Sequence, residues 1–116
     1  MLQHKVAIII PSTVNGNEPA PRQLVNRWIQ AAKLKFGRLF GGFTCFDAEG
    51  GWVSEQHGLI EEAVTVVSSF TDGDGLRFID DVKEFAARMA EAMGQEAVSI
   101  ELDHTLQFIT PVMVAG

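Results

Sequence analysis

The sequence predicts an α+β fold, a two-layer sandwich with an antiparallel sheet and two helices on one face. Three observations carry this expectation. The apolar period switches between strand-like and helical in the order β-α-β-β-α-β. Each helical stretch presents a single apolar arc, as a helix packed on a sheet requires. The second and third strand-like runs are separated only by a short turn, the mark of a hairpin. With 116 residues and 47% apolar composition, the chain has material for one α+β domain (1–116) with one core and needs no disulfide or metal staple. The organised core is expected over about 5–102, followed by an apolar C-terminal tail at 103–116.

Residues 5–11 are continuously apolar after Lys5 and rich in β-branched side chains, so they read as a central strand buried on both faces. Residues 12–21 hold Asn, Gly and two prolines and read as a loop without regular pattern. At such length in a small domain, loops are often either functional or mobile. From about Pro21 the period becomes helical. Val25, Trp28, Ile29, Ala32, Phe36 and Leu39 share one arc, and Gly41 and Gly42 stop the helix.

Residues 43–53 read as a strand with a bulge expected at Gly50 and Gly51. Residues 54–58 turn, and 59–70 return as a long strand around Val64, Thr65 and Val66. The acidic turn at 71–75 offers N-caps, Asp74 best placed. A second helix follows with Ile79, Val82, Ala86, Met89 and Met93 on one face and Gly94 as its stop. Residues 97–102 form a short strand, and the apolar tail at 105–114 offers an extra C-terminal edge strand. This order is the split βαβ of the ferredoxin-like sandwich.

Charge and cysteine content narrow the function. Net charge is −6, which argues against a sequence-independent grip on nucleic acid, and no aromatic-rich RNA-recognition signature is present. Five of the nine basic residues lie between Arg22 and Arg38, whereas fourteen of the fifteen acids lie between Asp47 and Asp103. A solvated helix face accounts for such a distribution most simply, and the resulting dipole could also help head-to-tail or self-complementary association. No apolar run approaches a membrane span and no secretory leader pattern opens the sequence, so a cytoplasmic location is expected, in keeping with the lone Cys45.

Chemistry-bearing patterns are sparse. His4, His57 and His104 share no ligand spacing, so no metal is expected, and nothing calls for a cofactor. His104 beside Asp103 is an imidazole that a carboxylate could tune. Cys45 reads as a small hydrophobe in a strand. Ser12 and Thr13, at the end of the first strand, offer hydroxyls that a ligand or a turn could use. Glu61 and Glu62 are the most suggestive carboxylates, although alternation sends them to opposite faces of a strand. Trp52, across the hairpin from them, supplies the amphipathic ring that interfaces and pockets favour.

Leu39, Phe40, Gly41, Gly42, Phe43 and Thr44, then Gly50, Gly51 and Trp52, then Gly58 to Glu62, and finally Gly94, Gln95, Glu96, Ala97 and Val98 form a combination of short motifs. Together, over roughly 5–102, they resemble small bacterial and phage-associated α+β proteins of a family of unknown function with this element order. A looser topological likeness is to nitrogen-regulatory trimeric signalling proteins. The first resemblance implies attention to Gly41, Gly42, Thr44, Trp52, Glu61, Glu62 and Gln95. Of these, Thr44, Trp52, Glu61, Glu62 and Gln95 are the candidate ligand-binding residues.

The leading expectation is a small homo-oligomeric module that binds a small-molecule ligand or a protein partner and serves a binding or regulatory role. Its warrant is an open sheet face and an apolar tail without catalytic motifs. The rival is a small-molecule enzyme, of isomerase or cofactor-free oxygenase type, with a pocket between sheet and helices and Trp52, Glu61 and His57 as participants.

Overall fold

The structure, a computed structural model, describes residues 1–112. Strand β1 (His4–Pro11) leads into a loop that carries a two-residue ribbon, β2 (Thr13–Val14) and β3 (Glu18–Pro19). Helix α1 (Arg22–Phe40), the hairpin β4 (Thr44–Ser54) and β5 (Gly58–Thr71), helix α2 (Ile79–Ala92), and strands β6 (Val98–Leu102) and β7 (Thr105–Ile109) follow. The main sheet is antiparallel throughout in the order β4-β5-β1-β6-β7. β1 and β4 therefore run parallel with β5 between them, which is the split βαβ expected from the sequence. The tail supplies the edge strand β7 over Thr105–Ile109, while its last apolar residues, Met113 and Val114, lie outside the described residues.

Register divides the sheet into two sides. Val6, Ile8 and Ile10 of β1, Val67 of β5, and Val98 and Ile100 of β6 point to the helices, and all are fully or almost fully buried. Against them α1 lays Val25, Ile29, Ala32 and Phe36, and α2 lays Ile79, Val82, Ala86 and Met89. Both helical arcs are those the sequence pattern marks. α1 ends at Gly41 in the left-handed conformation (φ 91°), whose N–H donates to the Gly37 carbonyl at 2.9 Å.

Two local expectations are corrected. The hairpin pairs without interruption through Gly50↔Glu62 and Gly51↔Glu61, so no bulge occurs there. Gly51 serves a close approach instead, because a Cβ at that position would stand 2.7 Å from the Ile60 carbonyl oxygen. Asp74 does not cap α2. It opens a short 3-10 turn, Asp74–Phe78, and the carboxylate that accepts a backbone N–H is Asp72, from Gly75 at 3.0 Å. Gly75 leaves no room for a side chain beside Thr71.

The sheet's second side carries no helix. Phe46, Trp52, Phe70, Leu106 and Phe108 point there by register and are all about half exposed or more. No helix among the described residues is long and apolar enough to cross a membrane.

Asp103 ties the β6–β7 turn to the start of β1. Its Oδ2 accepts from His4 Nδ1 at 2.8 Å, its Oδ1 accepts the Lys5 N–H at 2.9 Å, and its own N–H donates to the Lys5 carbonyl at 2.8 Å. The hydrogen bond from His4, then that from Lys5, holds the Asp103 carboxyl below its ordinary value of 3.8. Because the shift is downward, the clasp's contribution to stability is complete above that ordinary value and is lost as pH falls through the lowered one. Asp103→Asn keeps a residue tolerant of the positive φ of 54° and removes the charge. Urea midpoints are expected to separate wild type from Asp103→Asn at about pH 6 and to converge at about pH 2. A constant separation over that range would show that the carboxylate's charge does not matter.

Candidate functional site

The β4–β5 hairpin is longer than the helices that back it, and its outer half stands clear of them. On the helix-free side Gly50 and Trp52 of β4 lie beside Ile60, Glu62 and Val64 of β5, with Ile9 of β1 next in order. Trp52 and Glu62 are diagonal neighbours across the two strands, which places their Cα atoms about 7–8 Å apart by sheet geometry. Trp52 is 62% exposed, so its indole face is free rather than packed in the core. Gly50, between them on the same side, leaves the floor open.

The loop after β1 forms the opposite wall. It is not patternless: β2 and β3 pair through Thr13↔Pro19 and Val14↔Glu18, and Ala20 N–H donates to the Ser12 carbonyl at 2.9 Å. Asn15 turns it with φ 52° and Gly16 with φ 91°, conformations that Asn and Gly accept at low cost. Asn15 N–H donates to the Met93 carbonyl at 2.9 Å, which fastens the loop to the end of α2. Gly94 permits this approach, since a Cβ there would meet Asn15 Oδ1 at 2.5 Å.

One hydrogen-bonded chain joins the two walls. Gln95 Nε2 donates to the Thr13 carbonyl at 2.7 Å and to Thr13 Oγ1 at 3.0 Å, and Thr13 Oγ1 donates to Glu62 Oε2 at 2.9 Å. Gln95 and Glu62, both candidates from the sequence, thus meet through Thr13. Thr13 was marked in the sequence only as a hydroxyl for a ligand or a turn. Its link to Glu62 spans 49 residues, and no local pattern announces such a contact. Thr13, Asn17, Gly50, Trp52 and Glu62 line one groove of about 310 Å³ on the open side of the sheet. That volume falls at the lower end of what small-molecule sites occupy.

The remaining candidates lie elsewhere or play other parts. Glu61 borders the groove, but its carboxyl turns to the far side of the hairpin and meets Glu49. A hydrogen bond with Glu49 and repulsion from its charge raise the Glu61 carboxyl above the usual range. Thr44 is not brought to the groove. It pairs with Ser68 at the other end of the sheet, in a shallow depression beside Gly41, Gly42 and Phe70. His57 stands exposed in the hairpin turn, and the carboxylate next to His104 engages His4. No group of three or more metal-ligating side chains occurs among the described residues. The space between sheet and helices, where the alternative enzyme reading put its pocket, is filled by Ile8, Ile10, Phe36 and Met89, each fully buried.

Comparison with known proteins bears on the fold. No family model matches the sequence, and no curated protein matches it. Among solved structures, a phage SAM lyase in complex with S-methyl-5'-thioadenosine superimposes with TM-score 0.63 at 15% identity, over 92% of this chain and 88% of that one. The fold is shared with this lyase. Its apo state gives TM-score 0.63 at 15% identity, over 96% of this chain and 91% of that one. The periplasmic divalent cation tolerance protein CutA from Archaeoglobus fulgidus aligns with TM-score 0.49 at 12% identity, over 89% of this chain and 84% of that one. The chain is thus a compact α+β protein similar in fold to a phage protein.

Proposed function

We propose that this protein binds a compact cationic small molecule carrying a planar ring, with S-adenosylmethionine (SAM) as the candidate ligand. The observation that carries the reading is the pairing of an exposed Trp52 ring with a Glu62 carboxylate tethered across the same groove. An adenine ring can stack on the indole, and a sulfonium is attracted both by the carboxylate and by an aromatic face. The fold shared with a phage SAM lyase makes this ligand class the first to test.

Calorimetric titration with SAM and with S-methyl-5'-thioadenosine is expected to give saturable binding, one ligand per chain. Absence of heat for both up to about 1 mM, where only about −4 kcal/mol of binding free energy would be needed, overturns the reading. Mass spectrometry of the same mixture shows whether SAM stays intact. Accumulation of the thioadenosine would turn binding into cleavage, the enzymatic alternative, with the site on the open sheet face rather than between the layers.

The same reading includes self-association through the part of the helix-free side that carries Phe46, Phe70, Leu106 and Phe108, which leaves the groove at Trp52 and Glu62 open. Lys5 and Glu101 both lie on this side by register, which lets one copy's charge answer the other's. Phe70→Glu with Phe108→Glu is expected to shift sedimentation toward the monomer, whereas Leu34→Glu on exposed α1 surface leaves it unchanged. A wild type that sediments as a monomer at high concentration excludes this part of the proposal.

A further inference from the structure

We infer that Thr13 is a positioning residue that fixes Glu62 as a hydrogen-bond acceptor and thereby makes the groove select cations over anions. The inference deepens the ligand reading above and rests on it.

The direction of each proton follows from the geometry. The Gln95 side chain lies 2.7 Å from the Thr13 carbonyl oxygen, which can only accept, so the amide must present its NH₂ group there and not its oxygen. The second proton of that NH₂ reaches Thr13 Oγ1 at 3.0 Å. The hydroxyl has one proton, and with Gln95 donating to its oxygen that proton is left for Glu62 Oε2 at 2.9 Å. Hydrogen bonds in series polarise one another, so donation from Gln95 strengthens the Thr13 hydroxyl as a donor to Glu62 and fixes the orientation of the carboxylate. Glu62 Oε2 is therefore committed to the loop, and the other carboxylate oxygen is the one available to a ligand.

Charge in the groove points the same way. Glu62 and Glu61 are the charged residues that line it among the described residues, and no Lys or Arg joins them. A phosphate brought to this place meets the Glu62 carboxylate without a counter-charge. A sulfonium or ammonium meets an oriented acceptor. The ligand class is thus narrowed to adenosyl cations, and phosphorylated adenosines are refused.

The position of Thr13 depends in turn on Gln95 and on Gly94. Gly94 admits Asn15 against the end of α2, and Gln95 holds the Thr13 backbone and side chain together. Both follow the last turn of α2, so the loop wall of the groove is referenced to the helix layer rather than to the outer end of the hairpin.

The test combines a ligand-free signature with a selectivity measurement. In the ligand-free protein, the Gln95 side-chain amide resonances are expected to move in Thr13→Val and in Glu62→Gln and to return close to wild type in Thr13→Ser. SAM, S-methyl-5'-thioadenosine and adenosine monophosphate share the adenosine and differ in charge. Wild type is expected to bind SAM at least about tenfold more tightly than adenosine monophosphate, the scale of one charge-assisted contact. Thr13→Val should reduce the preference for SAM over the neutral thioadenosine by about threefold to tenfold with thioadenosine affinity unchanged, and Thr13→Ser should restore it. Gln95 resonances that ignore Glu62→Gln, or a preference that survives Thr13→Val, overturn the positioning role. If the resonances respond as expected but no adenosyl compound binds, the ligand reading fails and charge selection falls with it.

Discussion

Trp52→Ala is expected to weaken binding of an adenosyl ligand by about 10- to 100-fold, the loss found when the platform for one stacked base is removed. The ring is 62% exposed, and its cross-strand partner Ile60 is the chief neighbour it leaves behind. Truncation opens no cavity in the core, so thermal unfolding should stay within about 0.5 kcal/mol of wild type, as for other surface substitutions. Calorimetry of the variant against wild type reads the first effect and a melting curve reads the second. Trp52→Phe, which keeps a smaller aromatic face, should recover part of the affinity. Unchanged affinity in Trp52→Ala would remove the ring from the proposed site and leave Glu62 without the partner on which the adenine reading rests.

Trp52 also illustrates what a sequence can and cannot reveal about this fold. Its alternation partner positions place it on a defined side of β4, and the hairpin pattern places it across from the Glu61 and Glu62 pair. Both inferences use local periodicity, which backbone geometry enforces at every residue. The helix arcs and the central burial of β1 were legible for the same reason, and the edge strand β7 was visible as an apolar run. Periodicity does not say which side of the sheet the helices cover beyond the hairpin's root, so whether Trp52 is buried or exposed needed the packed structure.

The site was legible in part. Glu62 and Gln95 stood out by residue type and motif, but they are joined only through Thr13, which lies 82 residues from Gln95 in the chain. That contact depends on where the loop after β1 comes to rest, and the loop is placed by Asn15 against Met93 and Gly94. The Asn15 and Gly16 turn signal was in plain view, yet turn chemistry names a bend and not what it bends toward. Thr44 lies apart from the other candidates. A motif placed it with the others, and β4 carries it to the far end of the same sheet, ten pairs away from the hairpin turn.

Phe36→Ala is expected to cost about 3–5 kcal/mol of folding stability, because a fully buried ring leaves both lost transfer energy and a cavity. Phe36 stands in α1 with its ring edge-on to Phe40 at 5.6 Å between centroids, and Phe40 meets Phe78 at 6.4 Å, so one truncation loosens the contact between α1 and the turn before α2. A domain of this size holds only about 5–15 kcal/mol in total, so the variant should unfold at markedly lower temperature or denaturant. Leu34→Ala, two positions away on the exposed side of the same helix, is expected to stay within about 0.5 kcal/mol of wild type. The pair separates helix propensity from burial, since both exchanges install the same good helix former. The groove lies on the other side of the sheet from Phe36, so ligand affinity measured well below the variant's melting temperature should match wild type. If affinity falls in parallel with stability, the groove is not independent of the helix layer, and coupling through Gln95 at the end of α2 is the route along which the loss would travel.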